Sequence, residues 1–316
     1  MPLPTFVIVG ERRSGTTSLS HLMAAHPDIY VHDKREIGYF IEDEAKGTRR
    51  QNPETPLTAD TEAWARTHTA DDYAAKFAAG ADYPVIGEKS ADYLFWSPAH
   101  ARLAAFLPDA RFIVSLREPV SRAWSHYWNE VGKGRERLTF AEALEAEGER
   151  CRISAYARNH LSYGSRGFYD ESLARFLSCI PQDRVLVITL DEMGRDRDGT
   201  LAKVLRFVGA DPSRMAPDIE TVRNANWTMV PKPWAERPGL RPIAQAYDRA
   251  ARITSKLVTK DKFERRRVLH RLQSVFREPV RSLEMPDAVR KRLKDLYRPH
   301  IDTLEQLLGR RFDEWR

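Results

Sequence analysis

An apolar, β-rich run, Phe6–Val9, stops at Gly10 and hands the chain to a polar turn, Glu11–Thr17. A helical pattern follows over Ser18–His26, with Leu19, Leu22 and Met23 on one face, and Pro27 ends it. A strand that is apolar at every position is covered on both faces, which is the condition of a parallel sheet. The same vocabulary recurs downstream. Ile29–Val31 and Val85–Gly87 read as short strands, Pro98–Phe106 as a helix, and Arg111–Leu116 (RFIVSL) as the strongest strand. Pro119 stands where the first turn of a helix tolerates it, and that helix runs to about Val131. Helical patterns over Phe140–Ala157 and Tyr169–Ser178 precede a strand at Val185–Leu190 and a helix near Gly199–Val208. Residues 42–72 are polar and aperiodic, the mark of a long surface excursion. After Ile243 the chain is basic and helical to its end.

Strands alternating with helices predict an α/β fold: a P-loop-type parallel β-sheet flanked by helices on both faces, with a helical C-terminal extension. No repeat or low-complexity linker divides the 316 residues. One domain is expected over 1–316, with a core at about 1–215 and a helical part at about 240–316. Hydrophobic residues make up 42%, enough for a core. Lys and Arg exceed Asp and Glu by 51 to 45, and this +6 suits an anionic partner without naming one. The two cysteines, Cys151 and Cys179, are too few for a disulfide scaffold or a Cys-based zinc site and read as free thiols. No run of about 18 apolar residues marks a membrane span. The N-terminus lacks the pattern of a signal peptide, so the expected setting is cytoplasmic.

The loop Gly10-Glu11-Arg12-Arg13-Ser14-Gly15-Thr16-Thr17-Ser18 stands between strand and helix, where backbone N–H groups and the helix dipole converge on an anion. Gly10 and Gly15 keep the glycine spacing of a P-loop, but Thr16 replaces the lysine that nucleoside triphosphates require. Arg12 and Arg13 offer charge instead, and Thr16, Thr17 and Ser18 offer hydroxyls. The plain alternative is an ordinary strand–helix turn with a Ser/Thr cap. A second motif sits at the carboxyl end of RFIVSL. Open α/β sheets bind ligands at that edge, and Arg117 stands there. Ser125 lies about two helical turns further on. Alone, a strand-end arginine such as Arg117 reads first as a partner of Glu118 or a cap on a neighbouring element. Together the motifs imply a ligand with anionic groups at both ends, and a nucleotide with a 5′-phosphosulfate and a 3′-phosphate answers that description.

With these motifs in place, the chain resembles the sulfotransferases that use 3′-phosphoadenosine 5′-phosphosulfate (PAPS). VGERRSGTTSL resembles their 5′-phosphosulfate loop and FIVSLREPVSRAWSHY their 3′-phosphate segment. The heparan-sulfate N- and 3-O-sulfotransferase branch and its bacterial relatives are the most similar. Glu36-Ile-Gly-Tyr-Phe40 resembles that branch's Glu-x-x-Phe-Phe segment, whose glutamate is the proposed base. Gly87-Glu-Lys-Ser-Ala-Asp-Tyr93 resembles its Glu-Lys-Ser/Thr-x-x-Tyr segment, whose lysine lies at the reaction centre. Ser165-Arg-Gly-Phe-Tyr169 and the tail LEQLLGRRFDEW also look familial. Two departures stand out. Arg13 occupies a position where the heparan-sulfate enzymes usually have lysine. Cys151 and Cys179 do not match the disulfide those enzymes carry before a late basic loop, for which residues 222–232 are the candidate here.

The resemblance implies PAPS as donor, adenosine 3′,5′-bisphosphate as product and no required metal. Arg12, Arg13, Ser14, Gly15, Thr16, Thr17, Ser18, Arg117 and Ser125 would bind the nucleotide. Glu36 would take the acceptor proton, and Arg13 and Lys89 would neutralise the leaving phosphate. The plain alternatives are ion pairs of Glu36 with Lys34 or Arg35 and of Lys89 with Glu88. His26 reads as structural, whereas His32 is a candidate for the acceptor side. The acceptor would be a hydroxyl or amine of a carbohydrate or other small molecule, held by variable loops at 42–80 and 132–165. Two other functions compete: a P-loop small-molecule kinase, and a nucleotide-binding protein without catalysis. The basic residues between 249 and 298 read either as solvated helix faces or as a peripheral contact with an anionic acceptor or membrane surface. No nucleic-acid motif accompanies them. The oligomeric state is left open.

Overall fold

The computed structural model describes residues 2–32, 36–41, 64, 67–215, 229–259, 262–279 and 283–316. In the first half, β1 (Phe6–Gly10), α1 (Thr16–Ala24), β2 (Ile29–Val31), α2 (Ala70–Ala74), β3 (Val85–Lys89), α3 (Pro98–Phe106), β4 (Arg111–Leu116) and α4 (Pro119–Gly132) follow in order. Then come α5 (Phe140–Ile153), α6 (Ala155–His160), α7 (Tyr169–Leu177), β5 (Val185–Thr189), α8 (Leu190–Arg195) and α9 (Arg197–Val208). The C-terminal part contains β6 (Met229–Pro231), α10 (Arg241–Val258), α11 (Lys262–Gln273), β7 (Arg277–Pro279) and α12 (Asp287–Leu308).

The five strands of the main sheet are parallel, in the order β2-β3-β1-β4-β5. β1 is central and buried along its whole length, as its unbroken apolar run requires. Its side chains divide by the period of two. Phe6 and Ile8 pack with Leu19, Leu22 and Met23 of α1 and Leu201, Val204 and Leu205 of α9. Val7 and Val9 join the opposite cluster, with Leu103 of α3, Phe176 of α7 and Ile301 of α12. Both faces are therefore covered. One glycine fixes this packing: a Cβ on Gly87 would lie 2.1 Å from the Phe6 ring, so β3 can pass β1 only without a side chain there.

The last helix and the tail are part of the same core. Tyr297, Ile301, Leu304, Phe312 and Trp315 are buried in the cluster that holds Val7 and Val9. α10 and α11 pack on each other, and β6 and β7 form a small antiparallel pair.

Local chemistry shifts some expected boundaries. The helix expected over Phe140–Ala157 is two helices, because Ser154 adopts extended backbone and its side chain caps the second at Ala157 N. Leu190 opens α8 rather than closing β5, since Thr189 and Glu192 form a capping box there. The helical stretch expected after Ile243 is interrupted by β7, which closes against β6. Within the expected excursion, Trp64 is buried in the core and Thr69 caps α2. Residues 42–63, 65 and 66 lie outside the described residues.

Candidate active site

The polar turn after β1 is wound tightly onto α1. Gly15, the helix N-cap, has φ 82, and a Cβ there would lie 2.7 Å from Leu190. Arg13 has φ 76, a left-handed conformation that costs a non-glycine residue about 1–3 kcal/mol and persists only where its surroundings over-determine it. Those surroundings are specific. The carbonyl of Ser14 accepts a 2.6 Å bond from Ser115 Oγ on β4. Arg13 donates from Nε to Ser125 Oγ at 3.2 Å and from Nη1 to Asn129 Oδ1 at 3.3 Å, both on α4. The two motifs expected to share an anionic ligand are thus in direct contact.

A cavity of about 850 Å³ opens over this junction. Arg12, Arg13, Gly15, Thr16, Thr17 and Ser18 line it from the loop and the first turn of α1. Arg117, from the carboxyl end of β4, and Ser125 and Asn129 of α4 line a second side. Ser14 is the exception among the expected loop contacts, because its side chain is fully buried. Burial and the neighbouring Arg117 both penalise charge on Arg13, whose guanidinium is pushed down to about 10. Burial lowers Arg117 as well. Two desolvated guanidiniums facing one cavity favour an anion between them. Arg117 does not spend its charge on Glu118, whose carboxylate caps α4 by accepting from Val120 N and Ser121 N.

Glu36 lines the same cavity and pairs with Lys89 at 3.1 Å. Lys89 also donates to Thr17 Oγ1 at 3.4 Å, which ties the end of β3 to the loop helix. The expected alternative of a Lys89–Glu88 pair is not formed. Successive strand residues point to opposite faces, and Glu88 is buried on the other side of β3. Tyr73 and Tyr93 turn their hydroxyls toward Glu88, short of ordinary hydrogen-bond geometry, and burial pushes its carboxyl up to about 8. Lys34 and Arg35, the alternative partners of Glu36, lie outside the described residues.

Beneath the loop lies a buried ionic network. Glu11 Oε1 accepts from Arg12 N at 2.8 Å and from Arg166 Nη1 at 2.7 Å, and both side chains of the Arg166–Glu11 pair are fully buried. Arg166 Nη2 lies 3.0 Å from Asp92 and donates to Asn159 O at 2.8 Å. Arg12 pairs with the other oxygen of Asp92 and donates to Asn159 O and His160 Nδ1, each at 3.1 Å. Burial alone would raise the Asp92 carboxyl, but Arg12 and Arg166 outweigh it and hold it at about 2. Arg12, expected as a nucleotide contact, therefore has a buried carboxylate partner as well as a place on the cavity wall.

Of the far wall of the cavity, only Met229 falls in a segment singled out in the sequence for this site, the candidate loop at 222–232. The wall is formed by Met229 of β6, Arg252 of α10, Leu269, His270 and Gln273 of α11, and Arg277 of β7. Arg277 Nη2 donates to Gly132 O at 3.2 Å and to Met229 O at 2.7 Å, which ties this wall to the end of α4. Residues 222–228 of the candidate basic loop lie outside the described residues, and Met229–Pro231 form β6. His26 is structural: its ring nitrogens meet Asp211 O and Asp28 N. His32 packs edge-on against Phe77. Phe40 is fully buried in the core. Among the described residues, no cluster of three or more His, Cys, Asp and Glu is placed to hold a metal ion.

A sequence model of the Sulfotransferase family matches residues 4–213. The chain belongs to the sulfotransferase family. Its relatives include human heparan sulfate glucosamine 3-O-sulfotransferase 3B1, 26% identical over 211 residues, which are 66% of this chain and 46% of the relative. Human bifunctional heparan sulfate N-deacetylase/N-sulfotransferase 2 is 24% identical over 226 residues, 66% of this chain and 22% of that one. The membrane-associated sulfotransferase kil1 of Dictyostelium discoideum is 30% identical over 125 residues, 40% and 22% of the respective chains. This chain spans less than half the length of each of these relatives. A sulfotransferase structure from Alicyclobacillus acidocaldarius superimposes along the whole of both chains with a TM-score of 0.66 at 24% identity, which establishes the shared fold. The family segment contains the loop, Glu36, Lys89, Arg117 and Ser125. The far wall of this sulfotransferase cavity begins beyond it, at Met229.

Proposed function

We propose that this chain transfers a sulfuryl group from PAPS to a hydroxyl or amine of a small acceptor. The observation that carries the reading is the convergence on one cavity of two desolvated cations, Arg13 and Arg117, with Glu36, which Lys89 holds from behind the cavity wall at 3.1 Å. The residues suit a nucleotide anionic at both ends. The loop amides, Arg13 and the Thr17 and Ser18 hydroxyls would hold the phosphosulfate end. Arg117 and Ser125 would hold the 3′-phosphate.

Glu36 would accept the acceptor proton as the new bond to sulfur forms. As the bond from sulfur to the phosphate oxygen breaks, Lys89 and Arg13 would neutralise the negative charge left on adenosine 3′,5′-bisphosphate. Positioning and charge stabilisation then account for catalysis, as in phosphoryl transfer. A carbohydrate or glycosylated metabolite is the proposed acceptor class. Residues 1–316 are read as a single domain. A reducing, cytoplasmic setting suits the two unpaired thiols, Cys151 and Cys179.

A thermal-shift comparison of adenosine 3′,5′-bisphosphate with ATP–Mg tests the donor site, and a panel of acceptors with labelled PAPS tests turnover. Stabilisation by the bisphosphate and label transfer to an acceptor are expected. Stabilisation by ATP–Mg alone would assign the site to a kinase, and bisphosphate binding without turnover on any acceptor would leave a nucleotide-binding protein.

A further inference from the structure

Helix α10 turns an apolar stripe to solvent. Ile243, Ala246, Ala250, Ile253 and Leu257 recur at intervals of three and four residues, so they share one face of the helix. All five are exposed, with Ile243 at 56%, Ile253 at 61% and Leu257 at 81%. The buried face is narrow, carrying only Ala251 and Ser255. A helix of a globular domain ordinarily turns its apolar stripe to the core, and scattered exposed apolar residues need no explanation. An aligned row along four turns does.

The charges beside the stripe are of one sign. Arg241, Arg249, Arg252 and Lys256 are exposed along the adjacent face. The single acidic residue of the helix, Asp248, is already paired with Arg252 at 2.9 Å. Arg267 and Arg271 of the neighbouring α11 add exposed positive charge. Two occupants could cover the stripe. A second copy meeting it antiparallel across a two-fold axis would set one row of Arg249, Arg252 and Lys256 against the same residues of its partner. Like charges then oppose the contact. An anionic lipid surface satisfies both features: the stripe enters the headgroup boundary while the basic row meets lipid phosphates.

We propose that α10 docks this protein onto an anionic phospholipid membrane surface. None of the five stripe residues lines the cavity, so the inference does not depend on the catalytic reading. It does place the cavity near the lipid boundary, because Arg252 of the same helix lines that cavity.

Co-sedimentation of the full chain with vesicles tests it. Vesicles of phosphatidylcholine are compared with vesicles of phosphatidylcholine and phosphatidylglycerol, at low and at high salt. Binding to the anionic vesicles, weakened by salt, is expected. The double variant Ile253→Glu, Leu257→Glu should lose binding while keeping the thermal midpoint and the affinity for adenosine 3′,5′-bisphosphate. A second double variant, Arg249→Glu with Lys256→Glu, should weaken partitioning about tenfold or more, since each basic residue near the surface contributes on the order of 1 kcal/mol. Absence of binding at low salt, or equal binding by the stripe variant, overturns the proposal. A wild-type dimer that the stripe variant converts to monomer, without vesicle binding, assigns the face to a second copy and overturns it as well.

Discussion

Lys89 Nζ lies 3.1 Å from the carboxylate of Glu36, which stands 53 residues earlier in the chain. The pair joins the end of a buried strand to the segment after β2 and reaches the loop helix through Thr17. In the proposed reaction this carboxylate takes the acceptor proton. Glu36→Gln keeps the shape and removes the proposed base. The expected outcome is unchanged affinity for adenosine 3′,5′-bisphosphate by calorimetry and a turnover lower by about 10²–10⁴-fold. Full turnover in this variant would remove Glu36 from the role of base.

Arg117 is the proposed contact at the other end of the nucleotide. Arg117→Ala should weaken binding of adenosine 3′,5′-bisphosphate by about tenfold to a hundredfold, the value of a charge-assisted hydrogen bond of ~1.5–3 kcal/mol. The helix it precedes should survive, because Glu118 caps that helix independently. Adenosine 5′-phosphate, which lacks the 3′-phosphate, should bind wild type and variant alike. An equal loss for both ligands would move Arg117 away from the 3′-phosphate.

The loop and Arg117 were legible because each lies in a short segment whose chemistry is local: a strand end, a helix start, a hydroxyl two turns on. Glu36 and Lys89 were legible only through the resemblance of their segments to those of the family. Asn129 was also within reach, being one turn beyond Ser125 on the same helix face. Arg166 and Asp92 stood inside recognised segments, yet their role arises only when residues 11, 92 and 166 meet beneath the loop. The far wall carried no comparable signal. Arg252, His270 and Arg277 read as part of a basic tail because their convergence depends on how α10, α11 and β7 fold back, which hydrophobic period does not encode. The break at Ser154 was hidden for a related reason: an apolar period runs through it, and a side-chain cap decides against the helix.

The buried Arg166–Glu11 pair gives a third expectation. Arg166→Met would leave the Glu11 carboxylate, which is fully buried, and Asp92 without a cation they share. Removing one partner of such a pair costs about 3–5 kcal/mol. A lower thermal midpoint is therefore expected. Because Glu11 and Arg12 immediately precede the left-handed Arg13, affinity for adenosine 3′,5′-bisphosphate should fall as well. Glu11→Gln combined with Arg166→Met removes both charges and should recover part of the midpoint. A variant that melts earlier but binds the nucleotide unchanged would confine Arg166 to stability.

Glu88 supplies a pH dependence whose sign is fixed. Its ordinary value is 4.5, and burial, reinforced by the charge of Glu36, raises it to about 8 in the folded chain. Between these values the folded protein holds a proton that the unfolded chain has released, so stability falls as pH rises. The contribution is fully present below about 4.5 and is lost as pH passes through about 8. Glu88→Gln keeps a neutral side chain of the same shape at every pH. Its melting midpoint should match that of wild type in mild acid and exceed it progressively toward pH 8, with the difference levelling off above that value. Midpoints measured across this range for both proteins decide the matter: a constant difference would mean that Glu88 is ionised in the fold and that its charge is compensated.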